Sequence, residues 1–283
     1  MAYEHEIPKG GRLYFGALAA AKREIENKAV EIFAKEGFEE ISTPYFTYQK
    51  HQTYSSQSEQ NGIIRLSDAN NNALSLRADS SIDVVRLITK RLGRSTTHKK
   101  WFYIQPVFHF PTTEINQIGA EFLDSTDVSY ALKLAGDIFA GCGLSPKVQI
   151  SDIAVVKAVV SELKLDFELF MANDYAKLKK VEVEWFKKLL DCDSAEELKE
   201  IAKISPTPIS VELERLIGVA ECIHGGAIVA PLYVPKSSYY TDVFFRMLIG
   251  NDVVARGGNY KAGHKHSCGF AIYTDNIIQR LSV

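Results

Sequence analysis

The stretch Trp101-Phe-Tyr-Ile-Gln-Pro-Val-Phe-His-Phe110 passes through Pro111-Thr-Thr-Glu114 into Ile115-Asn-Gln-Ile-Gly-Ala-Glu-Phe-Leu123. Aromatic and β-branched residues fill both arms, and the connection is short and polar, so the pair predicts two antiparallel strands closed by a tight tip. A second hairpin is read just upstream. Ile63–Leu66 and Ala73–Arg77 flank Ser67–Asn72, whose run of asparagines suits a turn. Between the hairpins, Ile82–Leu92 reads as a short helix.

Working outward, residues 17–36 repeat Ile25, Ala29, Ile32 and Phe33 at helical spacing, and Gly37 is placed to end that helix in a left-handed conformation. Phe38–Pro44 then reads as extended, since proline removes a ladder donor and holds its predecessor in β geometry. Downstream, Val128–Gly141 is an amphipathic helix and Lys147–Ile150 a short strand. From about 152 to 222 the pattern is helical and highly charged, with helices read at Lys177–Leu190 and Ser194–Lys203. The latter opens with a capping box, Ser194 to Glu197. Strand patterns resume at Ile228–Val234, Tyr239–Leu248, Asp252–Arg256 and Gly269–Tyr273. Strands enclosing a central helical block imply an α+β fold, an antiparallel sheet flanked by helices with a helical insertion at about 152–222. Neither GxxxxGK[ST] nor GxGxxG occurs, so no familiar phosphate loop is present.

The composition, 46% apolar and 24% charged over 283 residues, is that of an ordinary globular protein. A net charge of −2 with dispersed Lys and Arg gives no general attraction to nucleic acid. No apolar run approaches the ~20 residues of a membrane span, and Met-Ala-Tyr-Glu-His-Glu at the start is unlike a signal peptide. A cytoplasmic, membrane-free protein is expected. Cys142, Cys192, Cys222 and Cys268 are scattered, which points to reduced thiols used mainly in packing. Cys222-x-His224 and His264-x-His266-x-Cys268 contain zinc-type ligands, but their spacings match no common zinc motif and no metal is expected. The glycines of Arg256-Gly-Gly-Asn-Tyr260 are read as allowing a tight bend.

Leu76-Arg-Ala-Asp-Ser-Ser81, the Trp101–Phe108 strand and Asn116-Gln-Ile-Gly-Ala-Glu121 together resemble the amino-acid-activating domain of class II aminoacyl-tRNA synthetases, the histidyl enzyme in particular. The helix, Gly37 and strand up to Pro44 resemble that class's dimerisation motif. The resemblance implies a pocket for a histidine-like ligand: Asp79 and Ser81 at the positions that hold the ammonium, with Gln117, Glu121, Tyr239 and Tyr240 completing it. Other uses of these residues exist. Asp79 is also placed to cap the helix near Ile82, Gln117 and Glu121 to form a polar strand face, and Tyr239 and Tyr240 to serve as β formers.

The same resemblance marks losses. Where the synthetase grips ATP phosphate with arginine stands His109; its histidine-specific arginine falls on Pro235, and its third-motif arginine on Asn276, with Tyr273 replacing a glycine. The Pro111–Glu114 tip is also shorter than the synthetase loop. With these departures the chain resembles the ATP phosphoribosyltransferase regulatory subunits. That likeness implies one synthetase-like domain over 1–283 without an anticodon-binding domain, no catalytic residue, no cofactor and no tRNA partner. It also implies a homodimer within a hetero-octamer, a short-form catalytic phosphoribosyltransferase as partner, and histidine as ligand and feedback signal. The competing readings are a tRNA-independent amino-acid-activating ligase and a synthetase-like binding module.

Overall fold

The computed structural model describes residues 6–51, 61–235, 240–262 and 265–281. In chain order the elements begin with helix α1 (Gly16–Lys35), strands β1 (Glu39–Glu40), β2 (Phe46–Tyr48), β3 (Arg65–Ser67) and β4 (Ala73–Leu76), and helix α2 (Ser80–Leu87), prolonged by a π turn over Ile88–Leu92. The hairpin β5 (Lys100–His109) and β6 (Thr113–Phe122) follows, then α3 (Val128–Gly141) and β7 (Lys147–Asp152). Six helices come next: α4 (Ile153–Leu163), α5 (Phe167–Met171), α6 (Tyr175–Leu178), α7 (Glu184–Asp191), α8 (Ala195–Ile204) and α9 (Thr207–Glu221). The chain continues with β8 (Ala227–Val229), β9 (Tyr240–Ile249), β10 (Asp252–Ala262), β11 (Lys265–Tyr273) and α10 (Thr274–Leu281). No described helix is long and apolar enough to cross a membrane.

The chain divides into two compact units, Met1–Leu123 with Ala271–Val283, and Asp124–Phe270. Strand order is β1-β5-β6-β11 in the first and β11-β10-β9-β7-β8 in the second, with β2-β4-β3 a separate small sheet of the first. Most neighbours are antiparallel as expected, but β1 pairs with β5, and β7 with β8, in parallel.

In the first unit, α1 buries Ile25, Ala29 and Phe33, spaced one turn apart. Phe33 stacks on Phe102 at 4.7 Å, and Phe38 meets Phe122 edge-on at 5.1 Å. Such aromatic pairs add about 0.5–1.5 kcal/mol each beyond their burial. The helix ends as Gly37 implied: φ is +77°, Gly37 N–H donates to Ala34 O, and Phe38 N–H to Phe33 O, a Schellman closure. Beyond it only Glu39–Glu40 forms a strand, less than the extended run read over Phe38–Pro44. Ile41 N–H still donates to Phe102 O, but Thr43 then turns inward to bond Gln105.

In the second unit, β9 and β10 pack so closely that a Cβ on Gly257 would lie 2.5 Å from the Phe245 ring and 2.6 Å from Gly269 O. Gly257 and Gly258 therefore sit within a strand, at its crowded irregular stretch, rather than at the bend expected from sequence. The single helix read over Lys177–Leu190 is two, α6 and α7, separated by a stretch containing β-branched Val181 and Val183. Ser194 caps α8 by accepting from Glu197 N–H, while the Glu197 carboxylate reaches back to Asp193 N–H.

Asp152 caps α4 through Ala154 N–H at 2.8 Å and takes two bonds from Arg215, at 3.0 and 2.6 Å. Burial still pushes its carboxyl up to about 6, because the half-exposed guanidinium offsets only part of the cost of desolvation. A folded pKa above the unfolded one favours the fold at low pH, and that contribution is lost as pH rises from the unfolded value near 3.9 through 6. Asn at 152 keeps the capping acceptor without the charge. Asp152→Asn is therefore expected to gain on the parent by up to about 3 kcal/mol between pH 4 and 7, at ~1.4 kcal/mol per unit. Urea titrations at several pH values check this, and parallel pH profiles would refute it.

Candidate functional site

The β5–β6 ladder runs without a register break from Lys100↔Phe122 to His109↔Thr113. Directly opposed residues share a face, so Tyr103, Gln105 and His109 of β5 lie on the same side as Gly119, Gln117 and Glu121 of β6. Gly119 has a steric reason: a Cβ there would lie 2.3 Å from the Tyr103 ring and hydroxyl. The ring crosses the glycine backbone, is fully buried, and carries its hydroxyl to 3.4 Å from Ser81 Oγ.

Asp79 and Ser81 come from the start of α2. Asp79 is its N-cap, accepting from Ile82 N–H at 2.9 Å, so the capping use is realised. The entry to this helix is clamped by Arg77, which has no exposed surface. Its Nε donates to Pro106 O at 2.9 Å, and Nη1 to Thr43 O at 2.8 Å and Thr43 Oγ1 at 3.0 Å. Nη2 also donates to Pro106 O. The guanidinium lies over the Tyr45 ring, 4.9 Å from its centre. Phe108 N–H closes the arrangement on Arg77 O at 2.8 Å.

His109 turns back onto this same segment, with Nε2 2.9 Å from Ala78 O. A carbonyl only accepts, so Nε2 carries the hydrogen and donates it there. The His109 side chain thus spends a donor on the backbone that leads into α2.

Three predicted residues meet around a fourth that the sequence reading missed. Tyr103 is held well above its usual pKa, first by burial and then by the negative charges of Glu121 and Asp79. Burial likewise raises Asp79, more than its bond from Ile82 and the nearby His109 lower it. Glu121 is fully buried, whereas Gln117 is partly exposed opposite Gln105, which is itself bonded to Thr43. The readable signal for Tyr103 was a glycine paired with a large aromatic, which emerges only once the register is known.

Asn276 lies in the first turn of α10, a helix the sequence reading did not identify. Its neighbour Asp275 is buried and accepts from Asn116 N–H at 2.9 Å, Asn116 Nδ2 at 3.0 Å and the Tyr14 hydroxyl, with Arg12 at 3.7 Å. Asp275 therefore ties the N-terminal segment and β6 to α10. Tyr240 and Pro235 belong to the second unit; Tyr240 is buried and stacked on Phe244 at 5.6 Å, in a cluster with Ile153. Tyr239 and His264 lie outside the described residues. All four cysteines are thiols outside any disulfide, and among the described residues no group of three or more His, Cys, Asp or Glu is placed to hold a metal.

Residues 16–277 match the family model for histidyl-tRNA synthetase. The chain is 43% identical to an ATP phosphoribosyltransferase regulatory subunit of Wolinella succinogenes, over 98% of this chain and 96% of that one. It is 40% identical to another of that description from Helicobacter hepaticus, over 99% of each. Among solved structures, an ATP phosphoribosyltransferase regulatory subunit/histidyl-tRNA synthetase from Bacillus halodurans superposes with a TM-score of 0.85 at 18% identity, covering 99% of this chain and 84% of the other. Histidyl-tRNA synthetase from Nostoc gives 0.77 at 16%, covering 98% and 74%.

Proposed function

Because the chain belongs to the histidyl-tRNA synthetase family, and within it to the ATP phosphoribosyltransferase regulatory subunits, we propose that it acts by controlling a partner and performs no chemistry of its own. It is a regulatory subunit of ATP phosphoribosyltransferase, serving the first step of histidine biosynthesis. The observation that carries this is full-length identity of 43% and 40% to regulatory subunits. The turned-in His109 agrees with it, since a donor committed to Ala78 O is not offered to a phosphate.

The finer reading is that residues 1–283 act as one synthetase-like domain that dimerises and joins a short-form catalytic phosphoribosyltransferase in a hetero-octamer. Its histidine-like pocket is built from Asp79, Ser81, Gln117 and Glu121, with Tyr239 and Tyr240 assigned by sequence likeness. Histidine bound there favours one assembly state over another, and that differential affinity supplies feedback control. Glu121, buried on the pocket face, gives the imidazole a charged acceptor.

Glu121→Gln is therefore expected to shift histidine inhibition of the reconstituted complex to at least about tenfold higher concentration, the equivalent of ~1.4 kcal/mol. An unchanged inhibition curve would move the histidine site elsewhere.

A further inference from the structure

Resting on the partnership with a catalytic subunit proposed above, we infer that the outer face of the β2-β4-β3 sheet is the surface on which that subunit docks. The segment it fits is apolar, with Asp or Glu at the end that meets Lys50 and His51.

This small sheet is inside out. Directly opposed residues share a face, and Phe46↔Leu76 and Tyr48↔Leu74↔Leu66 put five apolar side chains on one side. That side is the outer one: Phe46 is 59% and Tyr48 46% exposed, and the three leucines are only partly covered. The inner side carries hydroxyls instead. Thr47 and Ser75, directly opposed, are buried, and Thr47 Oγ1 donates to Asp83 Oδ1 of α2 at 3.5 Å. An antiparallel sheet with one face on a core ordinarily buries its apolar side and wets its polar one. Reversing that order leaves apolar area in water and polar groups inside, a cost that apolar surface laid over the outer face offsets. A contiguous apolar patch bordered by charge is the mark of a protein contact.

Charge selects the occupant. From Val84 to Thr113 the chain has six Lys or Arg and no Asp or Glu, although the whole chain has 33 of the first kind and 35 of the second. The Tyr48 end of the face meets this basic run. Lys50 Nζ lies 5.4 Å from the centre of the Tyr48 ring, and the His51 ring 5.7 Å from it. Burial, and then the charges of Arg86, Lys50 and Lys90, lower the pKa of His51 against the pull of Asp83, so the end of α2 brings its cations to the same place. Two carboxylates that border the sheet are engaged within the chain, Asp83 by Arg86 at 3.1 Å and Asp68 by Asn70 and Asn72. A second copy seated here would add the same cations, whereas a partner with carboxylates beside an apolar ridge complements them.

Sedimentation of the full chain, alone and mixed with the short-form catalytic subunit, tests this. Phe46→Ser with Tyr48→Ser is expected to weaken the complex at least about tenfold, as loss of aromatic anchors does. Lys50→Glu is expected to weaken it about threefold to tenfold and to make it less sensitive to salt than the parent. Val211→Ser, at an apolar residue exposed on α9, is expected to bind as the parent does, and urea denaturation checks that each variant is folded. Folded variants that bind the catalytic subunit like the parent would overturn the inference and leave the partnership standing. Variants whose only defect is loss of self-association would overturn it too, since the face would then hold a second copy. A parent chain that forms no complex would remove the partnership and this inference together.

Discussion

Histidine-dependent ATP–pyrophosphate exchange by the purified chain is expected to lie at least about 10²–10³-fold below that of a histidyl-tRNA synthetase, the loss typical of removing one preorganised donor. Amino-acid activation concentrates negative charge on the α-phosphate, and stabilising it needs a permanent cation presented as a planar fork. His109 cannot be that group: it lacks the fork, and its Nε2–H is committed to Ala78 O. Asn276, expected from the sequence resemblance to stand in for the third-motif arginine, is without charge and follows an Asp275 already engaged by Asn116 and Tyr14. Restoring arginine at 109 alone is expected to leave exchange at background, because such groups act as a unit and their effects do not add. Exchange at a synthetase-like rate would show that the fold activates amino acids by another arrangement.

Replacing Arg77 by Met is expected to cost about 3–5 kcal/mol of stability. Methionine approximates the apolar stem but has no donor, leaving Thr43 O and Pro106 O to lose their charged partner inside the protein. Bonds from a charged donor contribute about 1.5–3 kcal/mol each, and stranded buried acceptors add to the loss. Against a total stability of about 5–15 kcal/mol, the change approaches unfolding. Lysine is expected to recover little, since one ammonium cannot reach both carbonyls in the guanidinium geometry. Urea denaturation of the two variants checks this; a loss below about 1 kcal/mol would mean that these carbonyls find other partners.

Much of the fold is legible in the sequence where local signals and burial agree. The stripe Ile25, Ala29, Phe33 with Gly37 at its end defines α1, and the short tip between two aromatic-rich runs defines β5 and β6. Helix α10 is not legible, because β11 passes into it at Tyr273–Thr274 with no glycine or proline to mark the change of period. The Phe38–Pro44 segment reads extended, yet its later part serves Arg77 and Gln105 through Thr43 instead of a strand partner.

The site divides in the same way. Asp79, Ser81, Gln117 and Glu121 are picked out by the resemblance of their segments to the synthetase motifs, not by any local pattern. Tyr103 does not, because its role depends on facing Gly119 across the hairpin. Nor does sequence alone reveal where His109 points: Ala78 is a distant neighbour along the chain and a contact only after the helix entry is clamped by Arg77.

The regulatory assignment is tested most directly by mixing the chain with a short-form ATP phosphoribosyltransferase catalytic subunit and measuring phosphoribosyl transfer with and without histidine. The expected result is a common complex whose activity rises at least about tenfold over the catalytic subunit alone and falls again as histidine is added. Two subunits that elute separately, with activity unaltered by the mixture, would contradict it.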